Sequence, residues 1–66
     1  MNFAKARENA GLTVAEAARR LNVSTSAVCQ WESGKTFPEA RRLSQLADVY
    51  GVTVDDLLRK EERNEE

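Results

Sequence analysis

The sequence predicts a compact all-α domain of five short helices, and three observations predict it. A local pattern of Gly or Asn, an apolar residue, then Ser or Thr recurs at Gly11-Leu12-Thr13, Asn22-Val23-Ser24 and Gly51-Val52-Thr53. Its first residue tolerates positive φ and ends a helix, and its third accepts a backbone N–H bond and starts the next. Between these breaks the apolar residues fall at helical spacing, and no stretch of four or more residues alternates apolar with polar as a strand does.

Helix 1 is predicted over 2–10, with Phe3, Ala6 and Ala10 on one stripe. Helix 2, over 14–21, starts at Thr13, with Glu16 at capping-box spacing. Helix 3, over 25–33, starts at Ser24, and Val23 stands where it can staple onto Val28. Gly34 ends it. The single proline, Pro38, suits the first turn of a helix, so helix 4 is predicted over 38–50, with Leu43, Leu46, Ala47 and Tyr50 facing inward. Helix 5, over 54–60, repeats the capping box with Thr53 and Asp56, and Val52 can staple onto Leu57. The domain is thus placed at 1–60, and residues 61–66 form a charged tail that should fray.

Composition narrows the function. The chain has 66 residues, no His and a single Cys. An internal disulfide, a Cys/His zinc site and a His-based triad are excluded, and no metal or cofactor is expected. The longest apolar run is Ala27-Val28-Cys29, far short of a membrane span or a signal-peptide core. No membrane and no small-molecule partner is implied, and a cytoplasmic, nucleoid-associated chain of bacterial or phage type is expected. A core this small leaves little room for a catalytic pocket. The net charge is −1, but residues 1–60 hold 9 basic and 7 acidic side chains, a net of +2. The excess acid lies in the tail.

Two charges fall on core-facing stripes. Arg7 occupies the i+4 position of the helix 1 stripe, and Glu32 lies about 40° from Val28 on helix 3. A buried charge needs a partner, and a guanidinium suits a bidentate carboxylate. Arg7 and Glu32 either pair with each other or reach solvent separately.

Helices 2 and 3 are joined only by Asn22-Val23-Ser24, the arrangement of a helix-turn-helix. Ala18 lets the helices approach, and Leu21, Val23, Val28 and Trp31 form their shared core. The outward face of helix 3 is then Ser26, Cys29, Gln30 and Ser33, with Thr25 in the first turn. It is polar and uncharged. Gln pairs bidentately with adenine, and Ser or Thr bonds either base edge. Ser24 and the free N–H groups at the helix start can hold a phosphate, and Lys35 is a second phosphate contact. A plain solvated helix face has the same composition.

The stretch Gly11-Leu12-Thr13, then Ala17-Ala18 through Leu21-Asn22-Val23-Ser24, then Gln30-Trp31-Glu32-Ser33-Gly34-Lys35 with Pro38, resembles the lambda-repressor-like (Cro-repressor, XRE-type) helix-turn-helix family. Leu46-Ala47, Tyr50-Gly51-Val52-Thr53-Val54 and Leu57-Leu58 continue the likeness, which covers 3–58 without a gap. The resemblance implies a five-helix domain that binds a double-stranded DNA operator, usually as a dimer. It implies base-reading roles for Thr25, Ser26 and Gln30, with Ala27 nearby, and backbone contacts from Ser24, Lys35 and Thr36. It also implies that Arg7 and Glu32 form a structural ion pair. One departure stands out. The family often has a phosphate-binding Gln where this chain has Val14, which leaves Thr13, Lys35 and backbone N–H groups to anchor the phosphates.

Other residues have plainer readings. Cys29 lacks an activating neighbour and reads as a spectator thiol. Trp31 reads as core, and Arg19, Arg20, Arg41 and Arg42 as solvated helix positions. Asp55, Asp56 and the tail glutamates read as capping and solubilising groups. The chain is therefore expected to be a sequence-specific DNA-binding regulator, a repressor acting by operator occupancy, with helix 25–33 in the major groove. A homodimer, weak without DNA, is expected, with Val52, Val54 and Leu58 as its apolar edge. The alternative is an antitoxin-like or adaptor module that keeps the fold and binds a protein. Neutral charge and Val14 favour the alternative. The acid-free face of helix 3 favours DNA.

Overall fold

A computed structural model describes residues 1–59, and residues 60–66, which include the predicted tail, lie outside the described part. Five helices follow in order: α1 (Phe3–Asn9), α2 (Val14–Leu21), α3 (Thr25–Ser33), α4 (Ala40–Tyr50) and α5 (Val54–Leu58). No strand occurs among the described residues.

The helix ends obey one rule. After α1, α2, α3 and α4 a residue takes positive φ: Gly11, Asn22, Gly34 and Gly51. The next N–H then reaches back to a carbonyl five residues earlier. Leu12 donates to Arg7 at 3.2 Å, Val23 to Ala18 at 3.0 Å, Lys35 to Gln30 at 2.9 Å and Val52 to Ala47 at 3.0 Å. This is the Schellman closure, which satisfies carbonyls that a helix end leaves without a partner. Asn22 is the one non-glycine residue at positive φ among the described residues, and asparagine bears that conformation better than most side chains.

The helix starts follow a second rule. Thr13 and Thr53 each accept from the N–H of Glu16 and Asp56, at 3.1 and 3.0 Å, and both boxes close in return. Ser24 accepts from Ala27 N–H at 3.1 Å. Leu12, Val23 and Val52 precede these caps and pack against the core. Each therefore both ends one helix and staples the next.

Two predicted boundaries are corrected. α4 starts at Ala40, not at Pro38, and Glu39 is its cap. Pro38 is buried before the cap, at staple spacing from the buried Leu43, so its ring serves packing rather than the first helical turn. α5 ends at Leu58 instead of 60, and Arg59 is extended. No apolar residue follows Leu58 to extend the buried stripe. The start of α1 is related. Asn2 caps it without a side-chain bond, and instead its amide donates to Asp56 O at 3.3 Å and its backbone N–H to Leu57 O at 3.0 Å. The first residues of the chain thus serve the end of α5.

The core gathers Phe3, Ala6, Ala17, Ala18, Leu21, Val28, Trp31, Leu43, Leu46, Ala47, Tyr50 and Leu57. α2 packs on α3 and α4, α4 on α5, and α1 on α3 and α4. Ala17 and Ala18, 0% and 3% exposed, are the small residues that let α2 approach its neighbours. This packing fixes which face of α3 looks outward.

Candidate nucleic-acid interface

α3 turns Val28 and Trp31 into the core and leaves Thr25, Ser26, Cys29 and Ser33 exposed, with Gln30 half-buried at the edge of the same face. The only acid on α3 is Glu32, and it is turned away from that face. Arg7 Nε donates to Glu32 Oε2 at 2.7 Å and Arg7 Nη2 to Glu32 Oε1 at 3.1 Å. Arg7 Nη1 donates a third bond, to the Leu12 carbonyl, at 2.9 Å. The two side chains are only 13% and 14% exposed. Hydrogen bonding to Glu32 pushes the Arg7 guanidinium above its ordinary pKa, against the opposing pull of desolvation. The pair ties α1 to α3 and turns the one carboxylate of α3 away from its outward face.

Tyr50, on α4, is buried in the core. Its hydroxyl is buried and has no hydrogen-bond partner among the described residues. Burial, and then the Glu32 charge, push its pKa up from 10.0 to about 12, while Arg7 acts the other way.

The residues expected at the DNA backbone form two groups. Ser24, Thr25 and Ser26 sit together at the start of α3, where first-turn N–H groups have no intrahelical acceptor. The Ser24 oxygen already accepts from Ala27 N–H, so the hydroxyl proton remains to donate outward. Lys35 and Thr36 are exposed beyond the end of α3, and their N–H groups both donate to the Gln30 carbonyl, at 2.9 and 3.4 Å. Ser33 Oγ donates to that same carbonyl at 3.2 Å. The connection after α3 is thereby fastened to the helix at Gln30, whose side chain makes no bond to a described residue.

Thr13 is placed differently. Its oxygen accepts from Glu16 N–H, and its own N–H donates to the Glu16 carboxylate at 2.9 Å. Those bonds hold the Glu16 carboxyl below its ordinary pKa, so a full negative charge sits at the start of α2. An incoming phosphate would meet that charge. The capping box is written in the sequence as Thr13 and Glu16, and it sets a carboxylate where a phosphate at Thr13 would lie. Val14 is half-buried and packs against the core.

Arg19, Arg20 and Arg41 are exposed. Arg42 departs from the solvated reading: its Nη1 donates to Leu21 O at 3.1 Å and to Gln45 Oε1 at 2.7 Å, which fastens the end of α2 to α4. Cys29 is exposed on the outward face. No group of His, Cys, Asp and Glu among the described residues is arranged to hold a metal ion, and no described helix is long and apolar enough to cross a membrane.

Two short helices set by a three-residue turn, with the second presenting an uncharged polar face, define a helix-turn-helix domain. The helix-turn-helix domain family profile matches residues 3–60. The HTH-type transcriptional activator BcrR of Enterococcus faecalis is 39% identical over 56 residues, which are 85% of this chain and 28% of that protein. The HTH-type transcriptional regulator ImmR of Bacillus subtilis is 36% identical over 58 residues, 88% of this chain and 46% of that protein. The regulator DdrOP3 of Deinococcus deserti is 36% identical over 52 residues, 79% of this chain and 40% of that protein. No solved structure matches the chain. The chain belongs to the XRE-type, lambda-repressor-like helix-turn-helix family, a family of DNA-binding transcription regulators and not of enzymes. It spans less than half the length of these curated relatives.

Proposed function

We propose that this chain binds duplex DNA sequence-specifically and regulates transcription by occupying an operator, with α3 in the major groove. The observation that carries this reading is the outward face of α3: Thr25, Ser26, Gln30 and Ser33 are free of carboxylates because Glu32 is held inward by Arg7. Gln30 is the main base reader, since it alone on that face makes two bonds to one base edge, and Thr25 and Ser26 read the neighbouring base. Ser24, Lys35 and Thr36 contact the backbone. Thr13 is the weakest of these anchors, because Glu16 occupies the helix start beside it.

Two copies assemble on a two-fold site with half-sites roughly 34 Å apart, and free self-association is weak. Occupancy in this form represses where the site overlaps a promoter. The name of the Enterococcus faecalis relative shows that the same kind of domain also serves an activator. The corresponding location is the cytoplasm, at the nucleoid.

The test is a fluorescence titration of the chain against random genomic duplex fragments at two salt concentrations. Binding that enriches particular fragments and weakens as salt rises supports the reading. Binding to no fragment at low salt rejects it and leaves the protein-binding alternative.

A further inference from the structure

Phe37 is a large aromatic side chain that the fold leaves outside its core, at 54% exposure. It stands in the connection between α3 and α4, directly after Lys35 and Thr36. That connection is not loose. The Lys35 and Thr36 N–H groups fasten it to the Gln30 carbonyl, and the buried Pro38 fixes the backbone on the other side. The buried Phe3 packs against the ring, with centroids 6.2 Å apart and planes tilted at 60°. The ring is thus oriented by the core and still half open to water.

We infer that Phe37 is a positioning contact for duplex DNA, its ring packing on the deoxyribose beside the phosphate that Lys35 meets. The inference rests on the DNA reading above. The surroundings favour a nucleic-acid backbone: residues 33–37 offer a cation, hydroxyls and no carboxylate. A deoxyribose presents a C–H surface next to its phosphate, so an apolar ring and an ammonium side by side match the repeating unit of the strand. Covering the ring removes apolar area from water without moving any charge. Its contribution is therefore independent of sequence, unlike that of Gln30, and independent of salt, unlike that of Lys35.

The test uses a duplex selected in the titration above and a scrambled duplex of equal length. Phe37→Ala should weaken binding to both by the same factor, about five- to tenfold, as expected for covering roughly half of one aromatic side chain. The slope of log affinity against log salt should stay unchanged. Phe37→Trp should keep its affinity, and its exposed indole should become shielded from acrylamide when the duplex saturates. Trp31, at 9% exposure, contributes little quenching in either state. A denaturant titration of each variant, followed through Trp31, verifies that it is folded at the binding temperature. An affinity of Phe37→Ala unchanged from that of the unaltered chain, or lowered for only one of the two duplexes, overturns the inference. So does an indole quenched equally with and without bound duplex. A loss of affinity that parallels a loss of self-association in sedimentation of the DNA-free chain assigns the ring to a contact between copies, and overturns it too. These outcomes leave the DNA reading intact, whereas an unaltered chain that binds no duplex removes both.

Discussion

The exits of α1, α2 and α4 and the exit of α3 share one backbone closure and differ in the residue that follows it. At the first three, Leu12, Val23 and Val52 turn back against the core and begin the next helix at once. At the fourth, the same position holds Lys35, which is exposed, and the chain runs on to Glu39 before α4 begins. The closure itself is dictated by unsatisfied carbonyls and is indifferent to the side chain that comes next. Where that side chain is apolar, the turn serves only the fold. Where it is a lysine followed by Thr36 and Phe37, the turn projects chemistry away from the fold. The exceptional helix end is thus the one that borders the proposed interface.

The largest effect should come from cutting what holds that exceptional end in place. Glu32→Ala leaves Arg7 without its carboxylate and should cost about 3 kcal/mol in a denaturant titration. Replacing both Arg7 and Glu32 with leucine should recover part of that loss. A single-variant cost below about 1 kcal/mol, the range of an exposed ion pair, would mean that the pair does not anchor α3. Next, Gln30→Ala should lose about 1–3 kcal/mol at one base pair and relax specificity there. Uniform weakening across point-changed duplexes would instead make Gln30 a backbone contact.

An exchange tests the comparison head-on. Val52→Ser should cost about 1–2 kcal/mol of stability, since it opens a packed staple position. Lys35→Val, at the matching place, should leave the melting temperature nearly unchanged. It should nevertheless weaken binding to every duplex and shallow the salt slope by about one. Equal stability costs at both positions would erase the distinction between the two kinds of exit.

Tyr50→Phe should stabilise the fold by about 0.5–1 kcal/mol by removing a buried hydroxyl with no partner among the described residues. The Tyr50 pKa is raised on folding, so its share of stability is present below the unfolded value of 10.0 and is lost as pH climbs toward about 12. Melting curves of Tyr50→Phe across that window should fall less steeply than those of the unaltered chain.

The smallest effect lies at acid pH. Glu16 and Asp56 are held below their ordinary values by the N–H groups of Thr13 and Thr53. Their stabilisation is present above the unfolded carboxylate pKa and fades as pH drops through the folded one. Glu16→Gln and Asp56→Asn should flatten that slope in acid melts. Glu16→Gln should also make the start of α2 more tolerant of phosphate, read as slightly tighter binding to duplex DNA.

The helix count, the caps and the core were legible because each is written locally. A Gly or Asn, an apolar residue and a Ser or Thr within three positions suffice to stop and restart a helix, and the apolar stripes name Val28, Leu46 and Leu57. Pro38 misled because one residue type fits two roles, first-turn proline or buried residue before a cap, and only the packing around Leu43 separates them. Arg7 and Glu32 could be suspected singly from helical phase, but the third bond, to the Leu12 carbonyl, depends on how two helix ends meet in space. Phe37 is not legible in the sequence because a lone aromatic in a connection carries no periodicity. Its contact with Phe3 spans more than thirty positions of chain.

The bond from Asn2 to Leu57 has a consequence for how this domain is handled in the laboratory. A chain whose second residue already touches its fifty-seventh is a ring with one link missing. A short flexible bridge from Arg59 back to Met1 would close a loop of small entropy, and new ends opened at the exposed Gly11 would interrupt neither the core nor α3. Such a rearranged polypeptide would carry the same surface on a different order of helices. It would also release the N-terminus from the end of α5, where any tag fused at Met1 now competes with the bonds that finish the fold.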